Sequence, residues 1–210
     1  MSRTWLQRTG YDLSWMLCRV VARTLFRAKI LHAERSKIDG GLLVCANHQS
    51  FFDPVIVGLA CRRRLCYLAR ASLFRHWLFA RIIRFYEAIP IEREGIGIGG
   101  IKETLRRLKQ SRAVLIFPEG TRTHDGSLQP LKPGFCSLVR RTKVPILPVA
   151  LDGAYEAWPR EAKFPRLSKL SICFAEPIDP ETVAQLTDEG LVELVTQRIQ
   201  DSLDEARRQT

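Results

Sequence analysis

A histidine and an aspartate stand five residues apart in the segment VCANHQSFFDPVIVG, at His48 and Asp53. On a straight helix, five steps of about 100° separate two side chains by roughly 140°, so the pair cannot share one helix face. The apolar run 42–46 before the pair is typical of a buried strand. Asp-Pro is typical of a helix start, with Asp53 as N-cap and Pro54 as the first helical residue. A loop between strand and helix can therefore fold back and bring the carboxylate to the imidazole.

This pair has two interpretations. Open α/β sheets place their sites at the carboxyl ends of strands, and a histidine held there by a carboxylate is a general base with its orienting group. In the other interpretation, Asp53 only caps the helix and His48 is incidental.

A second polar segment, FPEGTR at residues 117–122, also follows an apolar run. Gly120 permits a tight turn, so Glu119, Thr121 and Arg122 can converge on one ligand. A guanidinium offers a planar fork for phosphate, and a hydroxyl adds a donor. The alternative is a surface turn closed by a salt bridge.

These segments need a framework that brings strand ends together, and apolar bursts do alternate with amphipathic stretches. Strands are predicted at 42–46, 65–69, 88–91, 113–117, 146–151 and 170–174, and helices at 54–61, 72–85, 99–110, 134–142 and 182–207. The alternation predicts an α/β fold with a mostly parallel central sheet flanked by helices. At 210 residues the chain is long enough for a single layered domain.

Residues 5–30 mix tryptophan, leucine and phenylalanine with arginines and few acids. This composition favours an amphipathic helix in a bilayer interface, and a helix packed on the domain is the alternative. Its apolar runs are too short for a spanning helix, and we expect no cleavable signal. We therefore divide the chain into an N-terminal amphipathic membrane-interface helical segment, 1–35, and an α/β domain, 36–210.

The formal net charge is +11 and the pI is near 9.8, which favours a negative partner such as anionic lipid, nucleic acid, an acidic carrier or a phosphorylated substrate. The six cysteines show no CxxC motif and no pairing with histidine at zinc spacing, so we expect a reduced compartment and no metal. No nucleic-acid motif is present. A basic membrane-binding or nucleic-acid-binding protein is therefore only a remote alternative.

Two further motifs point to other enzymes. Gly95, Gly97 and Gly100 match the spacing G-x-G-x-x-G, but the acid needed about 20 residues later would be Glu119, in a different motif. A cysteine hydrolase would pair Cys45 or Cys136 with His48, and neither cysteine has an activating neighbour in the sequence.

Four blocks occur in one order: NHQSFFD (47–53), AIPIER (88–93), FPEGTR (117–122) and VPILPVAL (144–151). Together they resemble the signature blocks of the glycerolipid acyltransferases, the lysophosphatidic acid acyltransferase family. KPGF (132–135) and AEPID (175–179) are also similar to the family, and the resemblance covers roughly residues 38–180. Two positions depart from it: Glu87, where glycine is common, and Ser72, where glutamate is common. They put the choice of acceptor in doubt more than the catalysis.

The resemblance implies acyl transfer from acyl-CoA or acyl carrier protein to the hydroxyl of a lysophospholipid, first of all 1-acylglycerol-3-phosphate, giving phosphatidic acid. It assigns His48 as the general base and Asp53 as its orienting group. It assigns the acceptor site to five residues: Arg93, Glu119, Gly120, Thr121 and Arg122. Imidazole has an unperturbed pKa of about 6.5, which suits removal of the hydroxyl proton.

Apart from the acyl donor, no cofactor is implied. The expected partners are an anionic membrane surface, the lysophospholipid and the acyl donor, without nucleic acid. The expected location is the cytoplasmic face of a membrane, peripheral or monotopic. Glycerol-3-phosphate, another lysophospholipid or an amine-bearing lipid are alternative acceptors, and the oligomeric state stays open.

Overall fold

A computed structural model describes residues 27–75, 77–91 and 97–209, together with Met16, Val20 and Thr24. The strands are β1 Lys29–Leu31, β2 Leu42–Ala46, β3 Leu65–Arg70, β4 Ala88–Ile91, β5 Ala113–Ile116, β6 Ile146–Asp152 and β7 Ser171–Phe174. The helices are α1 Asp53–Ala60, α2 Trp77–Phe85, α3 Gly97–Lys109, α4 Gly134–Thr142, α5 Ala154–Ala157, α6 Pro180–Gln185 and α7 Asp188–Gln209. Short 3₁₀ helices cover Ala33–Ser36 and Ala71–Arg75.

The seven strands form one sheet in the order β1-β7-β6-β2-β5-β3-β4. Neighbouring strands are parallel except β6 and β7, which are antiparallel. In the centre, Val44 of β2 lies opposite Leu115 of β5 and Leu147 of β6. The predicted α/β fold with a mostly parallel sheet is confirmed.

Helices cover both faces of the sheet, so the central strands have no solvent-exposed side. On β2, Leu43 and Cys45 belong to a core shared with α3, α4 and α7. Leu42, Val44 and Ala46 belong to the opposite core, shared with α1 and α5. Burial on both faces explains why β2 is apolar at every position instead of alternating.

Two predicted helices are each divided. The stretch 182–207 becomes α6 and α7, because Leu186 between them is extended (φ −92°, ψ 150°). The start of α6 is fixed by Asp179, whose carboxylate accepts a hydrogen bond from the Thr182 N–H at 2.7 Å. The stretch 72–85 becomes the 3₁₀ helix Ala71–Arg75 followed by α2.

The predicted N-terminal helix lies outside the described residues, apart from Met16, Val20 and Thr24. The sheet already begins at Lys29, inside the range 1–35 that the sequence assigns to a separate segment, because β1 pairs with β7. Across the described residues, no helix is both long enough and apolar enough to cross a membrane.

Glu87, where the family often has glycine, has a left-handed backbone (φ 61°) just before β4. Glycine adopts this conformation without strain, whereas other residues rarely do. The Glu87 carboxylate lies 3.3 Å from Arg107 and 3.5 Å from Arg112, and it accepts a hydrogen bond from the Cys66 thiol at 3.2 Å. Ion pairing at a half-buried position therefore offsets the backbone strain, and the departure from glycine has a structural explanation.

Candidate active site

The candidate site lies where β2 and β5 end. His48 follows β2 by two residues, and the FPEGTR turn begins directly after β5. Since β2 and β5 are parallel neighbours, their carboxyl ends bring these two segments together. The sheet thus joins two motifs that are about 70 residues apart in the sequence.

His48 and Asp53 are in direct contact. His48 Nδ1 lies 2.8 Å from Asp53 Oδ2, which also accepts hydrogen bonds from the backbone N–H groups of Gln49 (2.6 Å) and Ser50 (2.7 Å). The Asp53 side chain is fully buried, whereas the His48 side chain is 20% exposed. The loop folds back as the sequence predicts and leaves the imidazole at the surface.

The prediction that Asp53 is the N-cap of α1 is wrong. The cap is Phe52, and Asp53 is the first residue of the helix. The carboxylate accepts from N–H groups that precede the helix, so it holds the loop 48–53 closed instead of capping α1. Burial raises the pKa of the Asp53 carboxyl, and the hydrogen bonds from His48, Ser50 and Gln49 oppose that rise.

The imidazole orientation is fixed from two sides. An ionised Asp53 accepts the proton of Nδ1–H, which leaves Nε2 with its lone pair as the acceptor nitrogen. The ring also stacks on Phe117, with centroids 4.0 Å apart and planes inclined by 16°. A histidine in this tautomer and orientation can accept a proton at Nε2.

Glu119 fixes the His48 main chain from the neighbouring strand end. Its Oε1 accepts the His48 N–H at 2.6 Å, and its Oε2 accepts the Gln129 N–H at 3.2 Å. The residue is only 3% exposed, and burial raises the pKa of Glu119 to about 7 against the effect of these two N–H donors. The Thr123 N–H donates to the His48 carbonyl at 2.8 Å, so the FPEGTR turn and the residue after it hold both backbone groups of His48.

Asn47 and Gln49, beside the histidine, attach its loop to β6 and α5. Asn47 donates to the Leu151 carbonyl at 2.9 Å and accepts the Leu151 N–H at 2.7 Å. Gln49 Oε1 accepts the Ala154 N–H at 3.2 Å. The sequence analysis missed this positioning role, although two buried amides beside His48 in the NHQS block are its signal.

The turn after Glu119 has the predicted geometry at Gly120, where φ is +75°. The side chain of Lys132 lies over this glycine, with Nζ 2.9 Å from the point that a Cβ would occupy. Thr121 is exposed and Arg122 is partly buried. Lys132, in the KPGF block, adds a cation beside the turn that the sequence analysis did not include among the site residues. Arg93 lies outside the described residues.

One group among the described residues brings three potential metal ligands together, and it is not at this site. Ligand atoms of His32, Cys173 and Glu205 lie within 4.8 Å of one another, between β1, β7 and α7. Glu205 Oε1 lies 2.9 Å from His32 Nε2, and Oε2 accepts from the Cys173 thiol at 3.5 Å. The group is therefore satisfied by its own hydrogen bonds.

The cysteines of the hydrolase alternative are buried thiols. Burial raises the pKa of Cys45, and burial also raises the pKa of Cys136 to about 11. Both are therefore protonated near neutral pH, and neither is accessible to a substrate. A nucleophilic cysteine needs the opposite, a lowered pKa and an exposed sulfur.

Comparison with known proteins agrees with this geometry. The sequence model of the acyltransferase family matches residues 27–152, more than half of the chain. The chain belongs to this family. The predicted family resemblance is confirmed, and the protein is an acyltransferase.

Curated relatives of this acyltransferase carry a more specific name. A 1-acyl-sn-glycerol-3-phosphate acyltransferase of Bacillus subtilis (strain 168) is 27% identical over 179 residues, which cover 82% of this chain and 86% of the relative. The enzyme of the same name from Cocos nucifera is 26% identical over 203 residues, covering 95% and 63%. The 1-acyl-sn-glycerol-3-phosphate acyltransferase alpha of Mus musculus is 26% identical over 192 residues, covering 82% and 64%. This chain thus spans less than two thirds of the coconut and mouse enzymes.

A solved structure shares the fold of this acyltransferase. It is the 1-acyl-sn-glycerophosphate (LPA) acyltransferase PlsC from Thermotoga maritima, with a TM-score of 0.80 and 22% sequence identity. The similarity covers 99% of this chain and 84% of that structure. The α/β architecture is therefore the same in both proteins.

Proposed function

We propose that this acyltransferase moves a fatty acyl group from acyl-CoA or acyl carrier protein to the hydroxyl of 1-acylglycerol-3-phosphate and so forms phosphatidic acid. The names of the relatives support the acceptor. The observation that carries the chemistry is the contact between His48 Nδ1 and the buried Asp53 carboxylate, which leaves Nε2 for the substrate.

In the proposed reaction, His48 Nε2 takes the acceptor's hydroxyl proton as the hydroxyl oxygen attacks the thioester carbonyl. A carbon–oxygen bond forms and the carbonyl oxygen becomes an oxyanion. Collapse of this intermediate breaks the carbon–sulfur bond, and the imidazolium returns its proton to the departing thiolate. Asp53 stabilises the imidazolium, in the logic of a catalytic triad whose serine is replaced by the substrate hydroxyl. No acyl-enzyme is needed.

The proposed acceptor site is the FPEGTR turn together with Arg93. Arg93 and Arg122 would bind the phosphate, and the Gly120 turn and Thr121 would add donors. Lys132 adds positive charge beside Gly120. For Glu119 we propose a positioning role within this site, because both carboxylate oxygens bond to backbone N–H groups.

The remaining parts of the proposal concern partners and location. No cofactor other than the acyl donor takes part in these steps. The +11 charge supports contact with anionic lipid and with an acidic or phosphate-bearing donor, and not specifically with nucleic acid. We propose that the protein lies on the cytoplasmic face of a membrane, as a peripheral or monotopic protein.

An acceptor panel tests the proposal. The purified protein is incubated with acyl-CoA or acyl carrier protein and with 1-acylglycerol-3-phosphate, glycerol-3-phosphate, lysophosphatidylcholine or an amine-bearing lipid, and the products are identified by mass. We expect phosphatidic acid from the first acceptor, and none from His48→Ala. The matched control is His124→Ala, since His124 is 69% exposed and lies outside the site. A different preferred acceptor would overturn the substrate assignment, and an active His48→Ala variant would overturn the mechanism.

A further inference from the structure

The segment 158–169, between α5 and β7, is an exposed loop with an unusual composition. It contains four basic residues and one acid, Glu161. Two large apolar side chains in it face solvent, with Phe164 78% and Leu167 72% exposed. The basic side chains, all exposed, are Arg160, Lys163, Arg166 and Lys169.

This docking loop, residues 158–169, is a folded element. The Trp158 indole N–H donates to the Ala162 carbonyl at 2.9 Å, and the Arg166 N–H donates to the Ala157 carbonyl at 2.7 Å. The Ala162 N–H also donates to the Pro159 carbonyl at 3.2 Å. These bonds close the loop on itself, so the exposure of Phe164 and Leu167 belongs to a defined conformation.

The docking loop contacts the candidate site through Trp158. The Trp158 ring packs edge-on against Phe52 at 4.7 Å, and the Trp158 carbonyl accepts a hydrogen bond from Ser50 Oγ at 2.9 Å, in the turn between His48 and Asp53. At its other side, Glu161 lies 3.9 Å from His124, which follows the FPEGTR turn. The loop is therefore attached through Trp158 to the turn that holds His48 and Asp53.

We propose that the docking loop is a second membrane-contact surface, which inserts Phe164 and Leu167 at the lipid interface and sets its four basic residues against anionic headgroups. The bilayer interface accepts apolar and aromatic side chains at its edge and cations at headgroup depth. The loop presents both groups within twelve residues. The docking loop is distinct in sequence from the N-terminal segment 1–35. The inference depends on the proposed function only in taking the acceptor to be a lipid.

Charge and exposure together favour a lipid surface over an acidic protein. A protein partner could match the cations, but it would need shaped apolar pockets to bury both Phe164 and Leu167. A fluid lipid interface buries both without such pockets. The loop then brings the reaction site to the surface where a lysophospholipid resides.

Vesicle sedimentation of the full chain tests the inference. The vesicles are phosphatidylcholine alone and phosphatidylcholine mixed with phosphatidylglycerol. One variant is Phe164→Ser/Leu167→Ser, and a second neutralises the docking loop by Arg160→Gln/Lys163→Gln/Arg166→Gln. The controls are made on α3 and α4, which contact the opposite sheet face: Ile101→Ser, to be compared per apolar residue, and the matched triple variant Lys102→Gln/Lys109→Gln/Arg141→Gln. Unchanged melting temperatures establish that all variants fold.

We expect the apolar variant to lose at least about tenfold in vesicle affinity, because two large apolar side chains would no longer be buried at the lipid interface. The charge variant should lose about fivefold per charge on anionic vesicles and little on neutral ones. The control variants should bind vesicles almost as well as the unaltered protein, with a loss per residue well below that of the loop variants. Equal losses in the loop and control variants, or no loss in the loop variants, would overturn the inference.

Activity measurements separate this inference from the proposed function. Loop variants should keep full acyl transfer to a short-chain, water-soluble lysolipid and lose it on vesicle-embedded acceptor. If the loop variants bind vesicles normally and only raise the KM for acyl carrier protein, the loop is a protein contact and the inference is wrong. If the unaltered protein acylates neither acceptor, the proposed function fails, while the vesicle affinities still decide the role of the loop.

Discussion

Replacing Asp53 by asparagine removes one charge from the site and almost no volume. In the structure, three donors converge on Asp53 Oδ2: His48 Nδ1 and the N–H groups of Gln49 and Ser50. An amide must turn its oxygen towards these donors, because its NH₂ group would oppose all three. The NH₂ then occupies the position of Oδ1, a buried atom without a hydrogen-bond partner among the described residues.

The cost of this change can be estimated from these contacts. A buried NH₂ without an acceptor destabilises the fold by about 1–3 kcal/mol. Removal of a buried carboxylate charge opposes that loss. The variant should therefore fold, with a modestly lowered melting temperature. Catalysis should suffer much more, because a neutral amide cannot stabilise the imidazolium, and kcat should fall by at least about 10²-fold.

Melting curves and acyl-transfer rates on a small set of variants provide the assay. Asp179→Asn is the matched control, since Asp179 is a helix cap, and asparagine caps as well as aspartate. It should leave both stability and kcat nearly unchanged. His48→Ala and the double variant with Asp53→Asn should have similarly low rates, because a base and its orienting group act as a unit. A folded Asp53→Asn variant with near-native kcat would refute the orienting role.

Three further predictions concern charged residues, at the site and at Glu87, which precedes β4. Folding raises the pKa of Glu119 from 4.5 to about 7, so the native state holds a proton that the unfolded chain releases, and stability falls as pH rises through that window. Between pH 4.5 and about 7, the unaltered protein should lose up to about 3 kcal/mol of unfolding free energy relative to Glu119→Gln. Parallel pH–stability curves for the two proteins would contradict this. Arg93→Ala or Arg122→Ala should each weaken acceptor binding by about 1.5–3 kcal/mol while leaving the donor KM nearly constant, and equal effects on both substrates would count against a phosphate site. Glu87→Ala keeps the left-handed strain and loses the ion pairs. In chemical denaturation it should therefore lower the unfolding free energy by about 1 kcal/mol more than Glu87→Gly does.

The sequence was most informative where burial alone determines structure. β2 and β5 are buried at every position, and such runs are recognisable without any knowledge of their partners. The contact of His48 with Asp53 was also predictable, because both residues lie in one short loop whose closure is local. The N-cap role of Asp53 was wrong, since the carboxylate bonds to N–H groups upstream of the helix.

Features that depend on distant partners were not predictable. Asn47 bonds to Leu151, about 100 residues away, and nothing local in the sequence points an amide in that direction. Glu119 is a residue type that could bind a ligand, but its carboxylate points to the His48 N–H at a neighbouring strand end. β1, only three residues long, is a strand because β7 provides its partner.

Because β7 is antiparallel to β6 and parallel to β1, the amino ends of β1 and β7 lie at the same end of the sheet as the carboxyl end of β6. Asp152, at the carboxyl end of β6, lies opposite Ser171, the first residue of β7, and Ser171 lies opposite Lys29, the first residue of β1. The chain that precedes Lys29 therefore joins the sheet at the end where His48 lies, and residues 158–169 return to the same end. A protein held to a leaflet by that end would exchange lipid substrate and product by lateral diffusion within the leaflet, without extracting either into water. The carboxyl ends of β1 and β7 would then point away from the lipid.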